Sequence, residues 1–278
     1  MSTSQGRRAN LVKTYTWILS ECKPKAPHEV SDHGIMNQQK EKLFHKKQVR
    51  RTNIEMRDEF MEFMKKYKHA WVIPVYGILY LLAFQYVEHR KVRPYIIHMK
   101  IDDAIPFCEY FVIPYFLWFA YIAVTVFYFT FINKNKKEYW QLVCSLGIGM
   151  TLFIVVSLLF PNGQDLRPSL SNTQNSIFIE MVRYLYRLDT PTNIFPSIHV
   201  FNSVSCCLAV FHHKPFRKHK VFLGGTAVLT ALIVLSTIFL KQHTLIDMAA
   251  AFALNAVCYQ LLYKTRSVKE KQPARARA

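Results

Sequence analysis

Acidic charge is scarce in this 278-residue chain: 18 Asp and Glu stand against 36 Lys and Arg, a formal net charge of +18. The basic excess is not interleaved with aromatic residues in the manner of a nucleic-acid surface, so no nucleic-acid partner is expected. Cysteine is limited to six residues, and no Cys/His spacing resembles a zinc site. Cys108, Cys144, Cys206, Cys207 and Cys258 lie in or beside apolar segments, where an unpaired thiol is an ordinary core residue, so a disulfide scaffold is not expected either. There is no Asn-x-Ser/Thr acceptor, which is compatible with a bacterial source. The first apolar run begins at Ala70, behind a polar stretch far too long for the basic leader of a signal peptide, and is expected to remain in the mature protein.

What the chain does contain is apolar length. The mean hydropathy of +0.06 averages two unlike regions, a polar, basic segment up to Lys68 and a largely apolar one up to Lys264. Five runs, Ala70 to Val87, Ile105 to Ile132, Trp140 to Phe160, Val221 to Leu240 and Thr244 to Tyr263, are about as long as a helix needs to cross the roughly 30 Å hydrocarbon core of a bilayer. A sixth, Ile198 to Phe211, is shorter and carries Asn202, Ser203 and Ser205, which are costly facing lipid. It reads as a span buried among the others with its hydroxyls bonded to neighbouring helices. The expectation is an all-α polytopic membrane protein with six transmembrane helices in a bundle. The rival is a soluble all-α protein with an unusually apolar core.

Lys and Arg set the orientation. With both termini cytoplasmic, 28 of the 36 fall on inside segments and 8 on outside loops. Lys65, Lys66 and Lys68 abut the first span, and both short inside loops are basic, as the positive-inside rule requires. Three parts follow: a basic cytoplasmic tail (1–68), a membrane domain (69–264) and a basic C-terminal tail (265–278). Within the first, Met1 to about Asp32 lacks periodicity, whereas Gln38 to Lys68 repeats apolar residues at helical intervals among basic ones. This predicts a juxtamembrane helix, either attracted to anionic lipid at about 1 kcal/mol per basic residue or simply solvated.

Three short segments at the predicted outer face carry chemistry. His243 and Asp247, four residues apart where the last span begins, share a helix face. An Asp there can hold one imidazole nitrogen and leave the other as a nucleophile. A pair at this spacing also serves as a plain helix-end bond. Pro196 and Ser197 suit a helix start, which offers free N–H groups to an anion, with His199 in the first turn able to protonate a leaving oxygen. The same residues also make an ordinary capped helix. Arg167 before Pro168, and Lys241, supply cations suited to phosphate oxygens, as well as to the headgroup region. Asp102 and Asp103 read as loop acids. Residues 175–188 carry Arg183 and Arg187 among apolar residues and suggest an interfacial helix at the mouth of a site.

Taken together, the order and spacing resemble the three-part signature of the type 2 phosphatidic acid phosphatase superfamily: Arg167-Pro168, then Pro196-Ser197-Ile198-His199, then Ser236-Thr237 with His243 and Asp247. The resemblance covers roughly Ala70 to Lys264. Three positions depart from it: Phe160 stands for a lysine, Ile198 for a glycine and Thr237 for an arginine. The resemblance implies six helices with the site facing away from the cytoplasm. It implies metal-independent dephosphorylation of a lipid phosphate or polyprenyl pyrophosphate, with no cofactor, through a phosphohistidine on His243. Asp247 would orient His243 and His199 would act as acid and then base. Substrate-binding residues would be Arg167, Ser197 and Ser236, with Lys241 supplying a missing cation and Gln164 and Asn193 donating neutral hydrogen bonds. The expected location is a bacterial cell membrane. Two alternatives remain open: a phosphotransferase passing the headgroup to a lipid alcohol, as sphingolipid synthases do, and a non-enzymatic transporter or scaffold.

Overall fold

A computed structural model describes residues 46–48, 50, 54–62, 64–171 and 176–264. The chain divides into two units, 1–66 and 67–278. In the first, residues 54–62 are helical and exposed. The expectation for Met1 to Asp32, and most of that for Gln38 to Ile54, lies outside the described residues, as does the C-terminal tail.

The second unit is built almost wholly of helices: α1 (Val72–Glu88), the short α2 (Lys100–Ala104), α3 (Val112–Phe127), α4 (Lys136–Leu159), α5 (Ile177–Leu188), α6 (Ile198–His212), α7 (Lys220–Phe239) and α8 (Leu245–Tyr259). Short 3-10 or π turns extend some of these. Counting them, Lys68–Glu88, Glu109–Ile132, Lys136–Leu159, Lys220–Phe239 and Leu245–Lys264 are long and apolar enough to cross a membrane. α6 is apolar but has 15 residues, about 22 Å at 1.5 Å per residue, and falls short by length. The second run starts later than its sequence suggests. Residues 105–108 are irregular because Pro106 can donate no ladder hydrogen bond, and the Cys108 N–H bonds the Phe239 carbonyl (3.0 Å).

Side chains set the helix ends. Asn135, Ser176, Ser197 and Thr244 each accept a backbone N–H of the following turn, and Arg90 donates to the last carbonyls of α4 at Ser157 and Leu158. α6 is the hub, packed against α3, α4, α7 and α8. Of its polar residues, Ser205 reaches its neighbours as expected, donating to Asn255 Oδ1 (2.9 Å) and lying 3.0 Å from Ser145 Oγ. Ser203 instead bonds the carbonyl of His199 in its own helix (2.6 Å), and Asn202 Oδ1 is buried without a partner among the described residues. Gly149 of α4 lets the Phe201 ring of α6 lie against its backbone, since a Cβ there would stand 2.0 Å from that ring.

α1 is the least buried span. Val75, Ile78, Leu79, Leu81, Leu82 and Tyr86 are all more than half exposed, a surface that suits lipid and not water. It is held to α4 by the Tyr76 hydroxyl, which lies 2.9 Å from Thr151 Oγ1 and 3.0 Å from the Gly147 carbonyl. At one end of the bundle three loops are stitched by backbone pairing. Tyr95–Ile96 (β1) runs parallel to Asn162–Gly163 (β2), and Gly163 is bridged to Thr192. At the other end, His213 is braced between Glu138 (2.6 Å) and Tyr128 (2.9 Å).

Candidate functional site

The stitched end holds the three segments. Fully buried Asn162 positions the second of them: its Oδ1 accepts the N–H groups of Ile194 (2.8 Å) and Phe195 (2.9 Å), which fixes the approach to α6. Ser197 then caps α6, accepting from the Val200 N–H (3.4 Å), and its own N–H reaches the Asp247 carbonyl (3.3 Å). His199 thus sits in the first turn of a helix tied to the start of α8. Thr244 and Asp247 form a reciprocal cap there: Thr244 N–H donates to Asp247 Oδ2 (2.9 Å), and Asp247 N–H to Thr244 Oγ1 (3.4 Å).

His199 Nδ1 lies 3.3 Å from His243 Nε2, and His243 Nδ1 lies 3.5 Å from Asp247 Oδ2. Asp247 is fully buried, and both His243 Nδ1 and Asp247 Oδ1 lack a hydrogen-bond partner among the described residues. The carboxylate therefore serves the helix cap while remaining the nearest acceptor for the imidazole. On its far side, His199 Nε2 is 3.0 Å from the Tyr115 hydroxyl, which donates to Asp189 Oδ2 (2.7 Å). The His199 ring also lies against Trp118, centroids 4.5 Å apart.

A cavity of about 310 Å³ opens on this array. His199, His243, Gln242, Tyr115 and Asp189 form its polar wall, and the rest is mainly apolar, from Tyr80, Leu81 and Phe84 of α1, Phe116, Trp118 and Phe119 of α3, and Leu185 and Leu188 of α5. The helix expected near residues 175–188 is α5, whose Ile179, Val182 and Leu185 are buried.

The remaining sequence candidates are distributed differently. Arg167 lies behind the polar wall, donating to Gln242 Oε1 and to the Tyr186 carbonyl (3.3 Å), with its guanidinium 4.5 Å over the Tyr186 ring. Burial lowers its pKa and the nearby Asp189 carboxylate works against that; burial pushes the Tyr186 phenol up to about 12. Lys241, with φ of 53°, turns away and donates from Nζ to the Asp102 carbonyl (2.6 Å). Gln164 is a loop tie, donating to the Lys241 carbonyl (2.8 Å) and accepting the Leu166 N–H (2.5 Å). Asn193, which lines the cavity, donates to Glu88 (3.0 Å). Ser236 and Thr237 bond carbonyls within α7, at 2.6 and 2.8 Å, so the position where the resemblance would place an arginine is fully buried in the bundle.

Sequence reasoning passed over Tyr115, Asp189 and Gln242. Tyr115 had no local signal inside an apolar run, and Asp189 stands in a loop between motifs. Gln242 lies between two nominated residues, and its Nε2 is buried without a partner among the described residues. Asp102, read as a loop acid, is buried and anchors the start of α8 through Oδ1, which accepts the Leu245 N–H (2.9 Å). A scan against protein-family models, a search of curated proteins and a search of solved structures each gave no match.

Proposed function

We propose that this chain is an integral membrane phosphatase acting on a lipid phosphate monoester or a polyprenyl pyrophosphate through a phosphohistidine. One observation carries this reading: two histidines 44 residues apart meet edge to edge, one of them backed by a buried carboxylate, in the polar wall of an otherwise apolar cavity. His243 Nε2 attacks phosphorus in line while Asp247 holds Nδ1 and stabilises the charge that develops on the ring. His199 protonates the leaving oxygen and then activates water to release phosphate. The two facing nitrogens leave no room for phosphorus at 3.3 Å, so substrate entry parts the rings. Gln242, held by Arg167, offers its amide N–H, unpartnered among the described residues, to a phosphate oxygen, and the apolar walls take hydrocarbon. A phosphorylated headgroup on an apolar tail matches that division of the cavity.

In this reading α6 is the sixth span, shielded from lipid by its neighbours, and the site opens on the face away from both termini. Phosphate release by the purified protein in lipid micelles, measured across lipid phosphates and prenyl pyrophosphates without added alcohol, tests it. Wild type should release phosphate, and His243→Ala should lose at least about 100-fold. Equal release by both, or transfer of the headgroup to an added lipid alcohol with no phosphate released in its absence, would overturn it.

A further inference from the structure

The array at the cavity is longer than the His–His–Asp set. Asp247, His243, His199, Tyr115 and Asp189 form one chain of four links, at 3.5, 3.3, 3.0 and 2.7 Å, with a carboxylate at each end. The last three are hydrogen-bonding contacts, whereas His243 Nδ1 approaches Asp247 at 3.5 Å without a hydrogen bond. Tyr115 donates to Asp189, so its oxygen is an acceptor toward His199. A ring that keeps its Nε2 proton on Tyr115 and donates from Nδ1 carries both protons, and a buried imidazolium needs paired negative charge; the carboxylate on this side of the ring is Asp189, reached through Tyr115, with Arg167 and Glu88 beside it.

We propose that Tyr115 and Asp189 are positioning residues for His199: the Tyr115 oxygen holds the proton on Nε2, and Asp189 stabilises the doubly protonated ring, so that Nδ1 is the nitrogen that donates to the leaving group. The proposal rests on the phosphoryl-transfer reading above. As His243 Nε2 bonds phosphorus and the bond to the leaving oxygen breaks, the Nδ1 proton passes to that oxygen and the ring retains its Nε2 proton on Tyr115. The water that later attacks the phosphohistidine gives a proton back to Nδ1, which restores the starting state.

Leaving-group dependence separates this role from a structural one. An alkoxide needs a proton as it departs, whereas a p-nitrophenolate scarcely does. In the full-length protein, Tyr115→Phe, which keeps the ring packed on Val112, Val182, Leu185 and Leu240, should slow phosphohistidine formation from phosphatidate, read as alcohol released in a single turnover, by about 10- to 100-fold, and slow the p-nitrophenolate burst from p-nitrophenyl phosphate far less. Asp189→Asn, at a partly exposed position, should do the same, and it decides the matter if the Tyr115 variant does not fold. Equal losses on both substrates, or none, would overturn the proposal. Imidazole nitrogen resonances, assigned with His199→Gln, give a readout free of turnover. His199 should be protonated at Nε2 in wild type and change state in Tyr115→Phe; an unchanged spectrum overturns the proposal. Wild type that hydrolyses neither ester refutes the phosphatase reading, while those spectra still decide where the proton sits.

Discussion

At the residue scale, the candidate site separates groups that face the cavity from groups that hold the loops around it. Lys241 belongs to the second kind, because its ammonium is buried and spent on the Asp102 carbonyl. Lys241→Met keeps the hydrocarbon stem but strands that carbonyl, so a loss of about 1–3 kcal/mol is expected, read as a lower thermal midpoint in detergent. A rise in KM at unchanged stability would show that the ammonium serves substrate instead. His98 makes a second case at the surface, with Nε2 2.9 Å from Asp103 and Nδ1 2.8 Å from Asp165. Those hydrogen bonds, Asp103 first, raise its pKa above the ordinary histidine value. A raised folded-state pKa means the stabilisation is fully present below about pH 6.5, the unfolded value, and is lost as pH climbs through the higher folded value. The midpoint difference between wild type and His98→Gln should therefore be widest in mild acid and close in alkali. His199, His243 and Asp247 were legible in the sequence because their types and spacings are chemical. Tyr115 and Asp189 were not, since their partners lie 84 and 74 residues away and only the fold brings them together.

At the element scale, the apolar runs located the long helices to within a few residues, except before α3, where Pro106 and a tie to Phe239 keep the chain irregular. α6 is decided by its neighbours. Its polar residues are tolerable because the helix is surrounded on four sides, and one contact is close enough to require glycine. Gly149→Ala should push the buried Phe201 ring out of place and destabilise the protein by about 1–3 kcal/mol, measured as a drop in thermal midpoint. An unshifted midpoint would mean that the α4–α6 contact is looser than this geometry. Gly163 plays a comparable part in the loops, where a Cβ would stand 2.8 Å from the Pro191 carbonyl.

At the scale of the whole molecule, the distribution of Lys and Arg predicts that both ends of the membrane region face the cytoplasm. Single cysteines placed at residues 46 and 264, in a background without other thiols, should resist a membrane-impermeant reagent in intact cells, and one placed at residue 165 should react. The opposite pattern would invert the site. The sequence by itself determined the span-forming runs, the charge asymmetry and the reactive types at the span ends, because these depend on local composition and periodicity. Only the tertiary structure decided that Arg167 stands behind Gln242, that Lys241 serves a loop carbonyl, and that the histidine pair is joined to a second carboxylate through Tyr115. Those assignments depend on where side chains from distant segments point once α6 is enclosed and the loops are stitched together at Asn162 and Gly163.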